Sequence, residues 1–272
     1  MVMRVLAFLC VLCPWTALSA SECLSIDGAA KLWQEPAIRY LIVGENHGTN
    51  EIPALFGDLV CSAADNGRPI VVELELNEAN QEAIDLFISS DGGASAKSAF
   101  LQIDHWASEA KDGRSSRAYF DLIDRLRSFK KSGKILDVVG IQPDVAWKSQ
   151  SEFNAAMADR MRGGLAMHPE AMALVLVGRL HARKTPLQVA DQTIVPAAAG
   201  LPPEQTVSLI FVTDGLAWNC LPPYPANCGP HSLHGDPPVA RAVTISPQED
   251  GAYDGTIDVG AFATASPPMA GQ

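Results

Sequence analysis

Apolar residues fall along this chain in two alternating rhythms. Short strand-like runs occur at 38–43, 70–76, 135–141, 173–177, 207–212 and 240–245, and several of them are continuous Val/Ile/Leu stretches. Unbroken runs of this length are the pattern of strands covered on both faces. Between them, apolar side chains recur at helical spacing. The stretch 51–66 carries Ile52, Leu55, Leu59 and Val60 on one side, and Thr49 or Asn50 can cap it. The stretch 78–89 follows the second strand, and 151–167 is a weaker helix. In 116–132, Tyr119, Leu122, Ile123, Leu126 and Phe129 share a face, with Ser115 or Ser116 as N-cap and Gly133 as the stop. Strands alternating with helices predict an α/β fold. Its central sheet would be mostly parallel but mixed, covered by helices.

Polar residues interrupt that pattern at informative places. Two apolar strands run straight into Gly-x-x-His: Leu41-Ile42-Val43-Gly44-Glu45-Asn46-His47-Gly48, and Leu174-Val175-Leu176-Val177-Gly178-Arg179-Leu180-His181. Each histidine is thereby placed at the carboxyl end of the sheet, where open α/β folds keep their ligands. His47 can act as a general base for water or as a metal ligand, with Glu45 beside it to orient it. A lone histidine at such a helix entry is more often structural; the repeated spacing reverses that and favours a site. Glu73 and Glu75 lie inside an apolar strand and point to one face of it. A carboxylate in such surroundings needs a cation, a metal or a donor, so Glu73 is the candidate ligand or acid/base group, and Glu75 divides between that role and a solvated edge. Asp112-Gly113-Arg114-Ser115-Ser116 is a turn feeding a helix, and Arg114 there can clamp a carboxylate or oxyanion or serve as an ordinary surface residue.

Beyond residue 201 prolines and glycines break up any long element, which predicts extra strands joined by loops stapled by disulfides. Segment 90–113 is long and polar and could cover the site. The pair His231 and His234 sits in a Pro/Gly loop that does not fix metal geometry.

Residues 1–20 read as a signal peptide: Arg4 precedes an apolar run, Pro14 breaks it, and Ala17-Leu18-Ser19-Ala20 offers a small-residue cleavage zone. The expected organisation is therefore a signal peptide at 1–20, one α/β domain at 21–265 and a disordered tail at 266–272, in a periplasmic or secreted protein without a membrane span. Four cysteines then remain, an even number in an oxidising compartment. Sequence allows three pairings; Cys23–Cys61 and Cys220–Cys228 are favoured, because they tie the amino-terminal segment to the first helix and close a short loop. A four-cysteine zinc site lacks the C-x-x-C spacing. The formal net charge of −11 argues against nucleic-acid partners, which basic patches would attract.

The chain has no Gly-x-Ser-x-Gly elbow, Walker A loop, dinucleotide fingerprint or His-Glu-x-x-His. Water activation needs fewer assumptions than a nucleophilic side chain.

Gly44-Glu45-Asn46-His47-Gly48 with Glu51, Val71-Val72-Glu73, Asp112-Gly113-Arg114-Ser115 and Gly178-Arg179-Leu180-His181-Ala182 together resemble the superfamily of erythromycin esterases, ChaN-like haem-binding proteins, TraB-type proteins and Tiki proteases. The likeness spans about residues 38–184; the cysteine-rich carboxyl part is peculiar to a bacterial, ChaN-like branch. It implies an α/β fold with a mixed sheet and a site at the strand ends. From its protease side, His47, His181, Glu45 and Glu73 could bind a divalent metal for hydrolysis. From its esterase side, His47 is a base for water supported by Glu45 and Glu73, without obligatory metal. The esterase motif has one more residue before its histidine, and those enzymes are much longer. The ChaN-like side implies haem held through a tyrosine; the tyrosines here are Tyr40, Tyr119, Tyr224 and Tyr253, and no motif matches any of them to that role. The function expected is hydrolysis of a small-molecule or peptide substrate, with His47, Glu45, Glu73, His181 and Arg114 as its machinery; haem or iron binding without catalysis is the alternative.

Overall fold

Six of the apolar runs become strands of one sheet, in a computed structural model that describes residues 23–107, 111–144, 146–223 and 226–269. The expected signal peptide lies outside the described residues. In chain order the elements begin with α1 (Ala30–Gln34), β1 (Tyr40–Glu45), α2 (Glu51–Asp65) and β2 (Ile70–Asn77). Next come α3 (Gln81–Ile88), α4 (Ala94–Phe100), α5 (Asp104–Ala107) and α6 (Arg117–Lys131). Then follow β3 (Asp137–Gln142), α7 (Gln150–Ala166), β4 (Met172–Gly178) and the short α8 (Arg179–Ala182). A small hairpin, β5 (Leu187–Val189) with β6 (Gln192–Ile194), precedes β7 (Thr206–Phe211). The last strands are β8 (Gly215–Cys220), β9 (Cys228–Leu233), β10 (Arg241–Ile245) and β11 (Gly255–Val259).

The main sheet has seven strands in the order β10-β11-β7-β1-β4-β2-β3. Every neighbouring pair is parallel except β10–β11, which is antiparallel. The expectation of a mostly parallel mixed sheet is met. Alternation along each strand divides the core into two layers. Leu41 and Val43, with Val72, Leu74, Leu174 and Leu176, pack against Ile52, Leu55 and Leu59 of α2 and Leu122, Ile123 and Leu126 of α6. On the opposite face Ile42, Val71, Val175 and Val177 meet Phe153, Met157 and Met161 of α7. Each such fully buried aliphatic stabilises the fold by about 1.5–3 kcal/mol, enough to hold the strand ends that carry the site.

Local signals set the helix ends. Ser116 Oγ accepts the Tyr119 N–H at 3.3 Å to start α6, and Ser149 Oγ accepts the Glu152 N–H at 3.2 Å to start α7. Thr49 Oγ1 accepts the Ile52 N–H at 3.4 Å, so Thr49 rather than Asn50 supplies the side-chain bond before α2.

Both favoured disulfides are present, Cys23–Cys61 and Cys220–Cys228. The second joins residues directly opposite each other on the β8–β9 hairpin. Two disulfides agree with folding in an oxidising, exported environment, and no described helix is long and apolar enough to cross a membrane.

One expectation is corrected. Residues 266–269 do not form a free tail: Arg117 N–H donates to Pro267 O at 2.9 Å, Met269 N–H to Ser115 O at 2.8 Å, and Ala118 N–H to Ser266 Oγ at 3.0 Å. The segment pairs along the start of α6, where unsatisfied helix N–H groups attract it. Residues 270–272 lie outside the described residues. Segment 90–113 packs inward through Phe100 and Trp106, which meet Phe87 and Phe120 in the core, and its Asp104, His105 and Asp112 line a cleft.

Candidate functional site

Three neighbouring strands, β1, β4 and β2, deliver the polar groups to one place. His47 follows the end of β1 and His181 lies in α8 directly after β4. The register sets Glu45 opposite Gly178. Two glycines permit the close approach. A Cβ on Gly178 would stand 2.9 Å from His47 Nε2, and one on Gly44 would stand 2.8 Å from the Ala182 Cβ. The Gly-x-x-His spacing thus has a steric reason: the residue after each apolar run must be small for the two loops to share the strand ends.

The carboxylate at the centre is Glu75. Its Oε2 accepts the Gly178 N–H at 2.7 Å and lies 3.6 Å from His47 Nε2. Its Oε1 accepts from Arg114 Nη1 at 2.9 Å and lies 3.7 Å from His181 Nε2. Sequence reasoning weighted Glu73 over Glu75, and the structure reverses that order. Glu73 does point to the same face, but it lies one repeat earlier and is buried beneath α7, where a Cβ on Gly164 would meet its Oε1 at 2.8 Å. Neither Glu73 oxygen has a hydrogen-bond partner among the described residues. The signal that separates them is distance to the strand end, since only the last inward position of β2 can reach a neighbouring loop.

Each imidazole is oriented through Nδ1. His47 Nδ1 lies 3.0 Å from Glu45 Oε1, and His181 Nδ1 lies 2.6 Å from Asn154 Oδ1. Asn154 Nδ2 donates to the Val195 carbonyl at 2.8 Å, which fixes the amide so that Oδ1 faces the ring. The His181 Nδ1 therefore carries the proton, and its Nε2 is an acceptor. Arg114 is held by Asp112 through Nη2 at 2.6 Å and Nε at 3.0 Å, and donates to Gln142 Oε1 at 2.8 Å. His47, His181, Glu45 and Arg114 are thus brought together as expected.

The electrostatics follow from burial against charge. Burial alone would raise the Glu75 carboxyl, but His47, His181, Arg114 and the Gly178 N–H outweigh it and hold it at about 2. Burial would lower His47, but the charges of Glu45 and Glu75 raise it above the ordinary imidazole value. His181 moves the other way, lowered by burial and by His47 and Arg114 against the pull of Glu75. Burial raises Glu73 well above the usual carboxylate range. His105, whose ring nitrogen lies 3.0 Å from Arg114 O, is lowered by burial to about 4.

The imidazoles open into a cavity of about 320 Å³ lined by Glu45, Asn46, His47, Asp112, His181 and Asn219, among others. Asp112 also lines an adjoining cleft of about 400 Å³, with Asp104, Arg114, Ser115, Gln142 and Asp144.

The ligand sets implied by the family resemblance fit poorly. Glu73 does not reach the imidazoles, and both Glu75 oxygens are already engaged by a guanidinium and a backbone N–H. Arg114 supplies the positive charge that a metal would bring. Cys23, Cys61 and Asp65 do place potential ligand atoms together, but the two sulfurs are joined in a disulfide and offer no thiolate. Of the tyrosines suggested for haem, Tyr40, Tyr119 and Tyr253 are buried, and Tyr224 lies outside the described residues.

No family model matches the chain, and no curated protein matches it. Solved structures do. A mutant of the erythromycin esterase EreC in its open conformation superposes with a TM-score of 0.62 at 12% identity, covering 85% of this chain and 92% of that one. A succinoglycan biosynthesis protein gives 0.55 at 10% identity, covering 77% and 74%. The type III effector HopBA1 gives 0.51 at 14% identity, covering 88% and 98%. At these identities the likeness shows a shared fold.

Proposed function

We propose that this protein is an exported hydrolase in which the Glu45–His47 pair activates water without a metal. The observation that carries the reading is the convergence of His47 Nε2 and His181 Nε2 on one ionised carboxylate, at 3.6 and 3.7 Å, inside an open cavity. Glu45 accepts from His47 Nδ1, which makes Nε2 the basic nitrogen and stabilises the imidazolium formed when it takes a proton. Among the described residues no serine, threonine or free thiol bonds to either Nε2, so water is the nucleophile. Water adds its oxygen to the scissile carbonyl while His47 Nε2 takes a proton. His181 Nε2, an acceptor only, holds the second hydrogen. Collapse of the tetrahedral intermediate breaks the bond to the leaving oxygen or nitrogen, which receives the proton from His47. Arg114, fixed by Asp112 and Glu75, sets a positive charge beside the carboxylate that both imidazoles approach, where it offsets developing negative charge. The fold shared with an esterase supports hydrolysis in general.

The test is hydrolysis of a panel of simple esters, lactones and peptides by the wild type and by His47→Ala, with and without a chelator. His47→Ala should lower the rate about 100- to 10,000-fold with its melting temperature within a few degrees, and the chelator should have no effect. A chelator-sensitive rate would overturn the metal-free mechanism. A Soret band on haem titration, with no hydrolysis, would favour the binding alternative.

A further inference from the structure

Opposite the imidazoles, the catalytic cavity is walled by the disulfide-stapled hairpin. Asn219 of β8 and Leu233 of β9 line it together with His47 and His181. The hairpin is fixed there from two sides: Trp218 N–H donates to Gly48 O at 2.8 Å, next to His47, and Leu216 N–H donates to Ala263 O at 2.8 Å. Cys220, the neighbour of Asn219, is bonded to Cys228 directly across the ladder. Asn219 therefore stands on a rigid support, with its backbone paired opposite Gly229.

Its side chain is unaccounted for. Asn219 Oδ1 is buried and has no hydrogen-bond partner among the described residues. A buried amide oxygen left unpaired is destabilising, and such atoms in a folded protein call for an explanation. Here the atom belongs to a residue that lines a cavity, and a turn of its amide about χ2 would bring it to a molecule held there, which can supply what the protein does not. Nothing in the hydrolytic steps above uses Asn219.

We infer that Asn219 is a specificity residue whose amide pairs with a hydroxyl or amide group on the substrate, close to the bond that is cut. Either group can donate to Oδ1 or accept from Nδ2. Charge does not narrow the class further, because Glu45 and Asp112 in the lining are accompanied by Arg179, and Asp104 and Asp144 of the adjoining cleft by Arg114. The substrate is therefore a hydroxylated ester or amide. The inference rests on the hydrolase reading for the reaction but not for the binding.

The experiment compares methyl 3-hydroxybutyrate with methyl butyrate, which differ by one hydroxyl. Wild type should prefer the hydroxy ester by about 10- to 100-fold in kcat/KM, mostly through KM, as expected when its absence leaves a buried polar atom unpaired. In Asn219→Leu, nearly isosteric and apolar, that preference should vanish. A preference that survives in Asn219→Leu, with the melting temperature unchanged, overturns the assignment. Saturation-transfer NMR of methyl 3-hydroxybutyrate on His47→Ala separates the two claims. Binding that is lost only in His47→Ala/Asn219→Leu supports Asn219 even if no ester is hydrolysed, and equal binding by both variants rejects it.

Discussion

Glu75 and Gly178, 103 residues apart in sequence, are joined by a hydrogen bond of 2.7 Å from the Gly178 N–H to Oε2. It links the carboxyl ends of adjacent parallel strands, β2 and β4. Through it the carboxylate that faces both imidazoles is held on the same backbone that positions His181. Replacing Glu75 with Gln keeps an acceptor for Gly178 but turns an amide NH₂ toward Arg114, which is itself only a donor. Glu75→Gln should cost about 1–3 kcal/mol in urea denaturation and abolish most activity. Because the folded carboxyl lies at about 2, below its ordinary value of 4.5, its stabilising contribution is present above pH 4.5 and is lost as pH falls toward 2. In Glu75→Gln that acid-side loss should disappear; an unchanged acid limb would refute the coupling.

The pH dependence of catalysis should report His47. The base must be neutral to take a proton, and Glu45 and Glu75 raise its pKa above 6.5. The rate should therefore rise with pH through a midpoint above 6.5. Glu45→Gln removes the nearest negative charge and should move that midpoint down while lowering the plateau. As for stability, the raised His47 contributes in full below 6.5 and its contribution fades as pH climbs through the folded value. An NMR titration of the His47 ring in wild type and Glu45→Gln measures both; a midpoint that does not move would remove Glu45 from the base.

Much of this arrangement is legible in the chain. Continuous apolar runs announced the parallel strands, and glycine followed by histidine marked two of their ends. Both disulfides followed from loop closure and proximity. Less legible were the elements built by pairing rather than by hydrophobic content. Strand β11, Gly-Thr-Ile-Asp-Val, has two polar positions among five and becomes a strand because it adds beside β7. The choice between Glu73 and Glu75 was similarly hidden, since both share a face and only the length of β2 places one at the strand end. Asn154 and Asn219 give no local sign at all. Their roles come from tertiary contact, one across to His181 and the other through the wall of the cavity.

Glu73 should be a liability for the fold. It is fully buried, has no hydrogen-bond partner among the described residues, and burial raises its pKa well above 4.5. The unfolded chain releases that proton near 4.5 while the folded chain keeps it, so this residue makes stability fall as pH rises from about 4.5 toward the raised folded value. Glu73→Met, similar in length and apolar, should stabilise the protein at pH 8 by roughly 1–3 kcal/mol, and by less at pH 5. Urea denaturation at the two pH values checks this. A destabilised Glu73→Met at both would mean that the carboxyl has a partner after all.

The two disulfides should differ in what they protect. Cys23–Cys61 spans 38 residues and fastens the start of the described chain to α2, whereas Cys220–Cys228 spans 8 and closes a hairpin that already pairs along its length. Loop-closure entropy gives about 4 kcal/mol for the first and about 2.5 kcal/mol for the second. Calorimetry of Cys23→Ser/Cys61→Ser should therefore show the larger fall in melting temperature. Cys220→Ser/Cys228→Ser should lower it less, because only the carboxyl-terminal hairpin gains freedom in the unfolded chain. Its effect should instead appear in substrate affinity, since β8 carries Asn219 into the cavity from the residue beside the bridge. If the short bridge proves the more stabilising of the two, chain entropy does not govern this protein, and strain or residual structure in the unfolded state must be sought instead.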